Sequence, residues 1–202
     1  MSRRMYNTGK QKDSQLTFLP LTQERWSDFR TLFGERGACG GCWCMFWRLK
    51  RAEFEHGKGS GNKKAMKAIV DSGEVPGILA FYEAKPVGWC SVAPREKFSA
   101  LERSRILKRI DDLHVWSITC FFIEKHHREK GMSIQLLKAA VEYVKRRGGK
   151  ILEAYPVEPK KERVPAAFVW TGLASAFIKA GCVECERRSE TRPIMRYNIG
   201  KE

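Results

Sequence analysis

Two groups of residues in this sequence have types and spacings that chemistry can use. The first is Glu153 with Tyr155, two places further on. An acid inside the otherwise apolar run Ile151-Leu152-Glu153-Ala154-Tyr155-Pro156 needs a reason. Burial would make it a stronger proton acceptor, as a general base requires. The alternative is a salt bridge or a strand edge facing solvent. Strand alternation puts Glu153 and Tyr155 on one face, so they can serve one site. The second group is Arg128-Glu129-Lys130-Gly131-Met132-Ser133. A basic turn with a glycine at the head of a helix offers unpaired N–H groups and the positive end of a dipole, which suits a phosphate. His114 is a weaker base candidate, and His126 and His127 in the basic turn are expected to be solvated.

The elements that must position these residues can be read around them. Val115 to Ile123 is an apolar run expected to form a strand buried on both faces. After the turn, Ile134, Leu137, Val141 and Val144 recur at helical spacing. Lys145-Arg146-Arg147 suit the negative end of that helix, and Gly148 its left-handed cap. Earlier, Leu16–Leu19 reads as a short strand, and Thr22 as the cap of a helix through Trp26, Phe29, Leu32 and Phe33. A helix is expected over Asn62–Asp71. Ile78–Tyr82 and Val87–Val92 flank Glu83-Ala84-Lys85-Pro86 as a hairpin. Ala100–Leu107 is expected to be helical. Ile151–Pro156 is the next strand, Val157–Pro165 a Pro- and Lys-rich loop, and Thr171–Ala180 a helix. Val183–Glu190 and Ile194–Ile199 form a closing strand pair.

At 202 residues the chain suits one domain with a substantial core, residues 13–202, behind a polar flexible tail, residues 1–12. No apolar run reaches membrane-spanning length and no secretory signal is visible, which points to the cytoplasm and away from a membrane partner. Seven cysteines, an odd number in apolar segments, do not form a disulfide framework. Cys39-x-x-Cys42 and Cys182-x-x-Cys185 have zinc-ribbon spacing. Cys182 and Cys185 would point to opposite faces of a regular strand, however, so no metal is expected. Free cysteines more commonly act as small core hydrophobes. The stretch Cys42-Trp43-Cys44-Met45-Phe46-Trp47 is either core packing or the wall of a pocket for an apolar or planar ligand. The net charge of +15 favours anionic partners, yet no named nucleic-acid module is present.

The Arg128–Ser133 turn resembles the pyrophosphate loop of the GNAT superfamily, the acetyl-CoA-dependent N-acetyltransferases. That loop reads Arg/Gln-x-x-Gly-x-Gly/Ala, with a Val or Ile five residues before the Arg. Here Ile123 holds that place, and Ser133 departs from the usual Gly or Ala. The resemblance extends over Leu16–Ile199, and its specific part is Ile78–Cys182. It implies an α/β single domain with a mixed, splayed central β-sheet flanked by helices. It also implies acetyl-CoA as co-substrate. The pantetheine arm would lie along Val115–Ile123, with Cys120, Phe121, Phe122 and Ile123 nearest the thioester. Backbone N–H groups there would polarise the acetyl oxygen. Arg128, Glu129, Lys130, Gly131, Met132 and Ser133 would take the pyrophosphate.

Many members carry a tyrosine as leaving-group acid where this chain has Phe177. Tyr155 is the substitute candidate, its alternative being a half-buried tyrosine with its hydroxyl in water. Glu153 is the candidate base for direct attack by the amine. Trp43, Phe46 and Trp47 are the candidate acceptor-binding residues, since GNAT pockets are usually built from this early region. Three functions remain open. They are acetylation of a small-molecule amine, acetylation of a protein or peptide, and non-catalytic CoA binding with a nucleic-acid partner. The oligomeric state, monomer or homodimer, is also open.

Overall fold

The structure is a computed structural model, and it describes residues 16–160, 165 and 168–200. The tail expected over residues 1–12 lies outside the described residues, as do residues 161–164 of the expected Val157–Pro165 loop.

Among the described residues, seven strands form one open sheet. In chain order they are β1 (Leu16–Pro20), β2 (Gly77–Tyr82), β3 (Lys85–Pro94), β4 (Trp116–Ile123), β5 (Ile151–Ala154), β6 (Val183–Arg187) and β7 (Pro193–Asn198). Their order across the sheet is β1-β2-β3-β4-β5-β7-β6, and only β4 and β5 run parallel. A parallel pair needs a crossover, which α5 (Met132–Arg146) supplies. The other helices are α1 (Trp26–Phe33), α2 (Arg51–His56), α3 (Ser60–Asp71), α4 (Ser99–Glu102) and α6 (Ala174–Lys179).

The helices cover both faces of the sheet. On one face Leu136, Leu137, Ala140 and Val144 of α5 and Phe177 of α6 pack against Ile118, Phe121, Leu152 and Met195. On the other, Phe29, Leu32 and Phe33 of α1 and Met66 and Val70 of α3 pack with Trp43, Met45 and Trp89. The helical spacing read from the sequence therefore turns apolar stripes inward as expected. Gly148 (φ +76°) closes the end of α5.

Several local expectations are corrected. Thr22 makes no side-chain cap; its hydroxyl accepts from Arg25, and a 3-10 turn over Gln23–Arg25 precedes α1. The hairpin turns on Glu83 and Ala84 alone, both with left-handed φ, so β3 begins at Lys85. Pro86 falls beside a bulge, a place where a ladder tolerates proline. The helix expected over Ala100–Leu107 is only the single turn α4, and α2 was not foreseen. Phe54 is the only buried residue of α2, too little to show a period.

The decisive irregularity is in β4. Ser91 pairs with Cys120 but Val92 pairs with Ile118, so Thr119 is an extra residue in the ladder. A bulge of this kind reverses the alternation. Ile118, Phe121 and Ile123 consequently face α5, while Cys120 and Phe122 face α1. Beyond the bulge β5 no longer follows: the β4–β5 ladder ends at Ile118↔Ala154. The sheet is splayed from that point.

Candidate functional site

The splay has an anion cradle at one end and a cavity along its length. The cradle is the turn into α5. Glu129 (φ +59°) and Gly131 (φ +75°) are left-handed, and Gly131 is the residue before the helix. Among the described residues, the N–H groups of residues 129–133 have no acceptor; the first bonds of the helix run from Ile134 and Gln135 to the Gly131 carbonyl. Five successive free donors at a helix start form a nest for a polyanion. The guanidinium Nε of Arg128 donates to the Ile123 carbonyl at 2.8 Å and ties the turn to the strand end. Glu124 steadies the other side of the turn, accepting from the His126 N–H at 2.9 Å and pairing with His127 at 3.0 Å. His126 is solvated as expected, whereas His127 is held against Glu124.

The cavity, about 210 Å³, lies on the α1 face between the 37–47 loop and β4. Phe46, Trp47, Phe54 and Trp170 wall it, with Cys44 and Cys120 at its lining. Of the three aromatics expected to bind the acceptor, Phe46 and Trp47 line this cavity. Trp43 does not. It is 1% exposed and sits in the core, stacked on Phe33 with ring centroids 5.7 Å apart.

Glu153 and Tyr155 are on one face, as alternation required, but they do not line the cavity. Oε1 of Glu153 accepts from Nη1 of Arg95 at 3.0 Å and from the Tyr155 hydroxyl at 2.6 Å. Oε2 accepts from Nε of Arg196 at 2.8 Å, and Arg196 continues to Asp111. The residue is 1% exposed. Both carboxylate oxygens are therefore engaged, and none is left to take a substrate proton. The salt-bridge reading of Glu153 holds, and the general-base expectation is corrected.

Tyr155 is corrected likewise. It is fully buried, its hydroxyl meets Ser117 at 2.8 Å and also Arg95, and no water reaches it. Burial, then the Glu153 charge, hold its phenol well above the usual range, the wrong direction for a proton donor. Arg95 and Arg196 had no signal of their own. A buried acid on a central strand did demand a cation on a neighbour, and Arg196 is its register partner on β7.

His114 lies at the other end of β4, about 23 Å of strand from Phe121 by the usual rise, and is not near the cavity.

The β4 edge itself carries a feature the sequence did not announce. The Phe121 N–H donates to the Trp170 carbonyl at 2.6 Å. The segment before α6 thus fills part of the splay, and the Trp170 ring packs 5.3 Å from Phe46.

The cysteines fall into two places. Cys182 belongs to the α5 face and Cys42 to the α1 face, so these two cysteines of the Cys-x-x-Cys pairs lie on opposite sides of the sheet. Among the described residues no three His, Cys, Asp or Glu side chains gather as a metal ion needs. Cys44 accepts from Nε1 of Trp89 at 3.2 Å. Burial pushes its thiol up, but hydrogen bonds from the Cys120 thiol, Trp89 and Ser91, with the Arg48 charge, outweigh it and bring the pKa from 9.0 to about 7. Cys120, donating to Cys44 and itself buried, is held well above the usual thiol range.

A strand, a helix head with free N–H groups and a parallel pair that parts beyond the strand's bulge make up an open α/β sheet, and the comparisons with known proteins name its class. The model of the acetyltransferase (GNAT) family matches residues 43–166, and the chain belongs to that family. Among solved structures it is similar to a GNAT-family acetyltransferase from Listeria monocytogenes, at 7% identity and TM-score 0.56, covering 91% of this chain and 94% of that one. Another, from Streptococcus agalactiae, has 13% identity and TM-score 0.54, covering 98% and 100%. A third is YncA of Salmonella typhimurium, solved with its cofactor acetyl-CoA, at 10% identity and TM-score 0.52, covering 93% and 96%. At these identities the likeness shows the fold. A comparison with curated proteins finds no match.

Proposed function

We propose that the protein transfers an acetyl group from acetyl-CoA to the amine of a small, largely apolar molecule. The observation that carries this reading is the run of five free N–H groups at the head of α5, directly after the strand that β5 leaves at Ile118. The pyrophosphate fits the cradle, with Arg128 and Lys130 beside it. The pantetheine arm fits the open edge of β4 as an added strand. For the acetyl end to use the Phe121 N–H as an oxyanion donor, the Trp170 carbonyl must give it up. The acceptor belongs in the aromatic cavity, whose 210 Å³ and apolar walls favour a small apolar or planar amine over an open peptide groove. The large positive charge raises the local concentration of the anionic co-substrate.

The experiment is a panel of amines, including arylamines, amino acids, polyamines and short peptides, assayed for CoA release from acetyl-CoA. Release with a small apolar amine supports the reading. Release with peptides alone would move the acceptor to the protein class. Tight acetyl-CoA binding with no release across the panel would favour a non-catalytic CoA protein.

A further inference from the structure

We propose that Cys44 is a nucleophile that takes the acetyl group from acetyl-CoA and passes it to the amine, so that transfer runs through a Cys44 thioester. This rests on the acetyl-CoA reading above.

The cavity lining holds no carboxylate and no imidazole among the described residues. Its titratable lining groups are all thiols: Cys39, Cys42, Cys44 and Cys120. Glu153 and Tyr155, the groups expected to move protons, are bound to Arg95, Arg196 and Ser117 outside it. The thiols are not equivalent. Cys39 is exposed and Cys42 half-buried with its thiol raised by burial. Cys44 alone accepts a hydrogen bond from the sheet, from Nε1 of Trp89 on β3 at 3.2 Å, and it lines the cavity together with Cys120 of β4; Ser91 and the Cys120 thiol also favour its charged form. Such donors stabilise a thiolate sulfur, the nucleophilic form, and they do so inside an apolar cavity.

The backbone points the same way. Trp43 (φ +43°) and Cys44 (φ +60°) are consecutive left-handed residues, neither of them glycine. Strain of this kind persists only when surroundings over-determine it, and it recurs where a turn presents a reactive side chain. The 37–47 loop is held from behind by Asn62, whose amide donates to the Gly41 and Phe54 carbonyls at 3.2 Å.

Position completes the case. The Thr119 bulge turns Cys120 to the α1 face, where it meets Cys44. Cys120 stands on the stretch of β4 that β5 leaves open, downstream of which lies the anion cradle. An arm running from the cradle along that edge brings its thioester to Cys120 and hence to Cys44.

The step balances without a further reactant. The Cys44 sulfur bonds to the acetyl carbonyl carbon, the bond from that carbon to the coenzyme sulfur breaks, and CoA leaves as thiolate. The amine then attacks the same carbon, the bond to Cys44 breaks, and the Cys44 thiolate returns. The proton lost by the amine ends on the coenzyme thiol. The Cys120 thiol stays protonated throughout and donates to whichever sulfur carries charge.

The test is isotope exchange between acetyl-CoA and labelled CoA in the absence of any amine, which direct transfer cannot catalyse. Acetyl-CoA affinity is measured in parallel by calorimetry. Exchange by the wild type, falling to background in Cys44→Ser and Cys44→Ala that still bind acetyl-CoA, and retained in Cys39→Ser, is the expected result. A hydroxylamine-labile acetyl on the Cys44 peptide after acid quench would accompany it. Acetyl-CoA binding without exchange would overturn the relay and leave the co-substrate reading standing, as would exchange that survives Cys44→Ser. No acetyl-CoA binding by the wild type would overturn both.

Discussion

The Phe121 N–H donates to the Trp170 carbonyl at 2.6 Å, just where β4 parts from β5. A pantetheine arm added to β4 and the Trp170 segment compete for one donor. Acetyl-CoA should therefore release residues 168–173. Amide hydrogen exchange of a peptide covering that stretch is expected to speed up on acetyl-CoA addition, while Phe121 stays protected. Unchanged exchange in the 168–173 peptide at saturating acetyl-CoA would mean that the arm does not enter the splay.

Gly172 makes that segment fit. Its φ is +87°, and a Cβ there would lie 2.6 Å from the Phe177 ring and 3.2 Å from the Phe121 ring. Gly172→Ala is expected to destabilise the fold by about 1–3 kcal/mol through overpacking and backbone strain. Chemical denaturation reads the loss directly. A variant as stable as wild type would show that the segment repacks freely.

Gly131 is the opposite case. A Cβ there meets nothing within 4 Å, so Gly131→Glu costs the fold only the strain of φ +75°, about 1–2 kcal/mol. The new side chain stands in the space over the cradle and adds a negative charge. Acetyl-CoA affinity should fall at least about tenfold, or 1.4 kcal/mol. Calorimetry that finds wild-type affinity would remove the cradle as the pyrophosphate site.

Glu153→Gln separates a structural from a catalytic acid. Removing the acid of this buried network leaves Arg95 with Glu102 alone and Arg196 with Asp111 alone, a loss of about 3–5 kcal/mol. The variant is expected to melt well below wild type and, below that temperature, to keep the shape of the wild-type pH–rate profile. A stable variant whose loss of turnover vanished at high pH would restore Glu153 as the base.

Cys44 offers a test that needs no substrate. With its thiol lowered from 9.0 to about 7, the nucleophilic thiolate accumulates as pH rises through about 7. Alkylation of Cys44 by a small neutral reagent, followed by peptide mapping, should show its midpoint there. Cys182, pushed by burial up to about 12, should stay unreactive across the same range. A Cys44 midpoint near 9 would remove the thiolate.

The chain's own letters determined the α/β class, the β4–turn–α5 unit and the cradle, because those depend on apolar period and on a glycine at one helix start. They also implied that Glu153 needed a partner. What they could not express is which residues become neighbours across strands. The extra residue at Thr119 shows in no periodicity, yet it turns Cys120 and Phe122 toward α1 and ends the β5 ladder. Arg95 and Arg196 come from β3's end and β7, far from Glu153 in sequence, and only the sheet order brings them to it. The same order takes Tyr155 out of water and gathers Cys44, Trp89 and Cys120 at one cavity. A cysteine's reactivity depends on donors a few ångströms away in space, and the residues adjoining it in the chain do not report them.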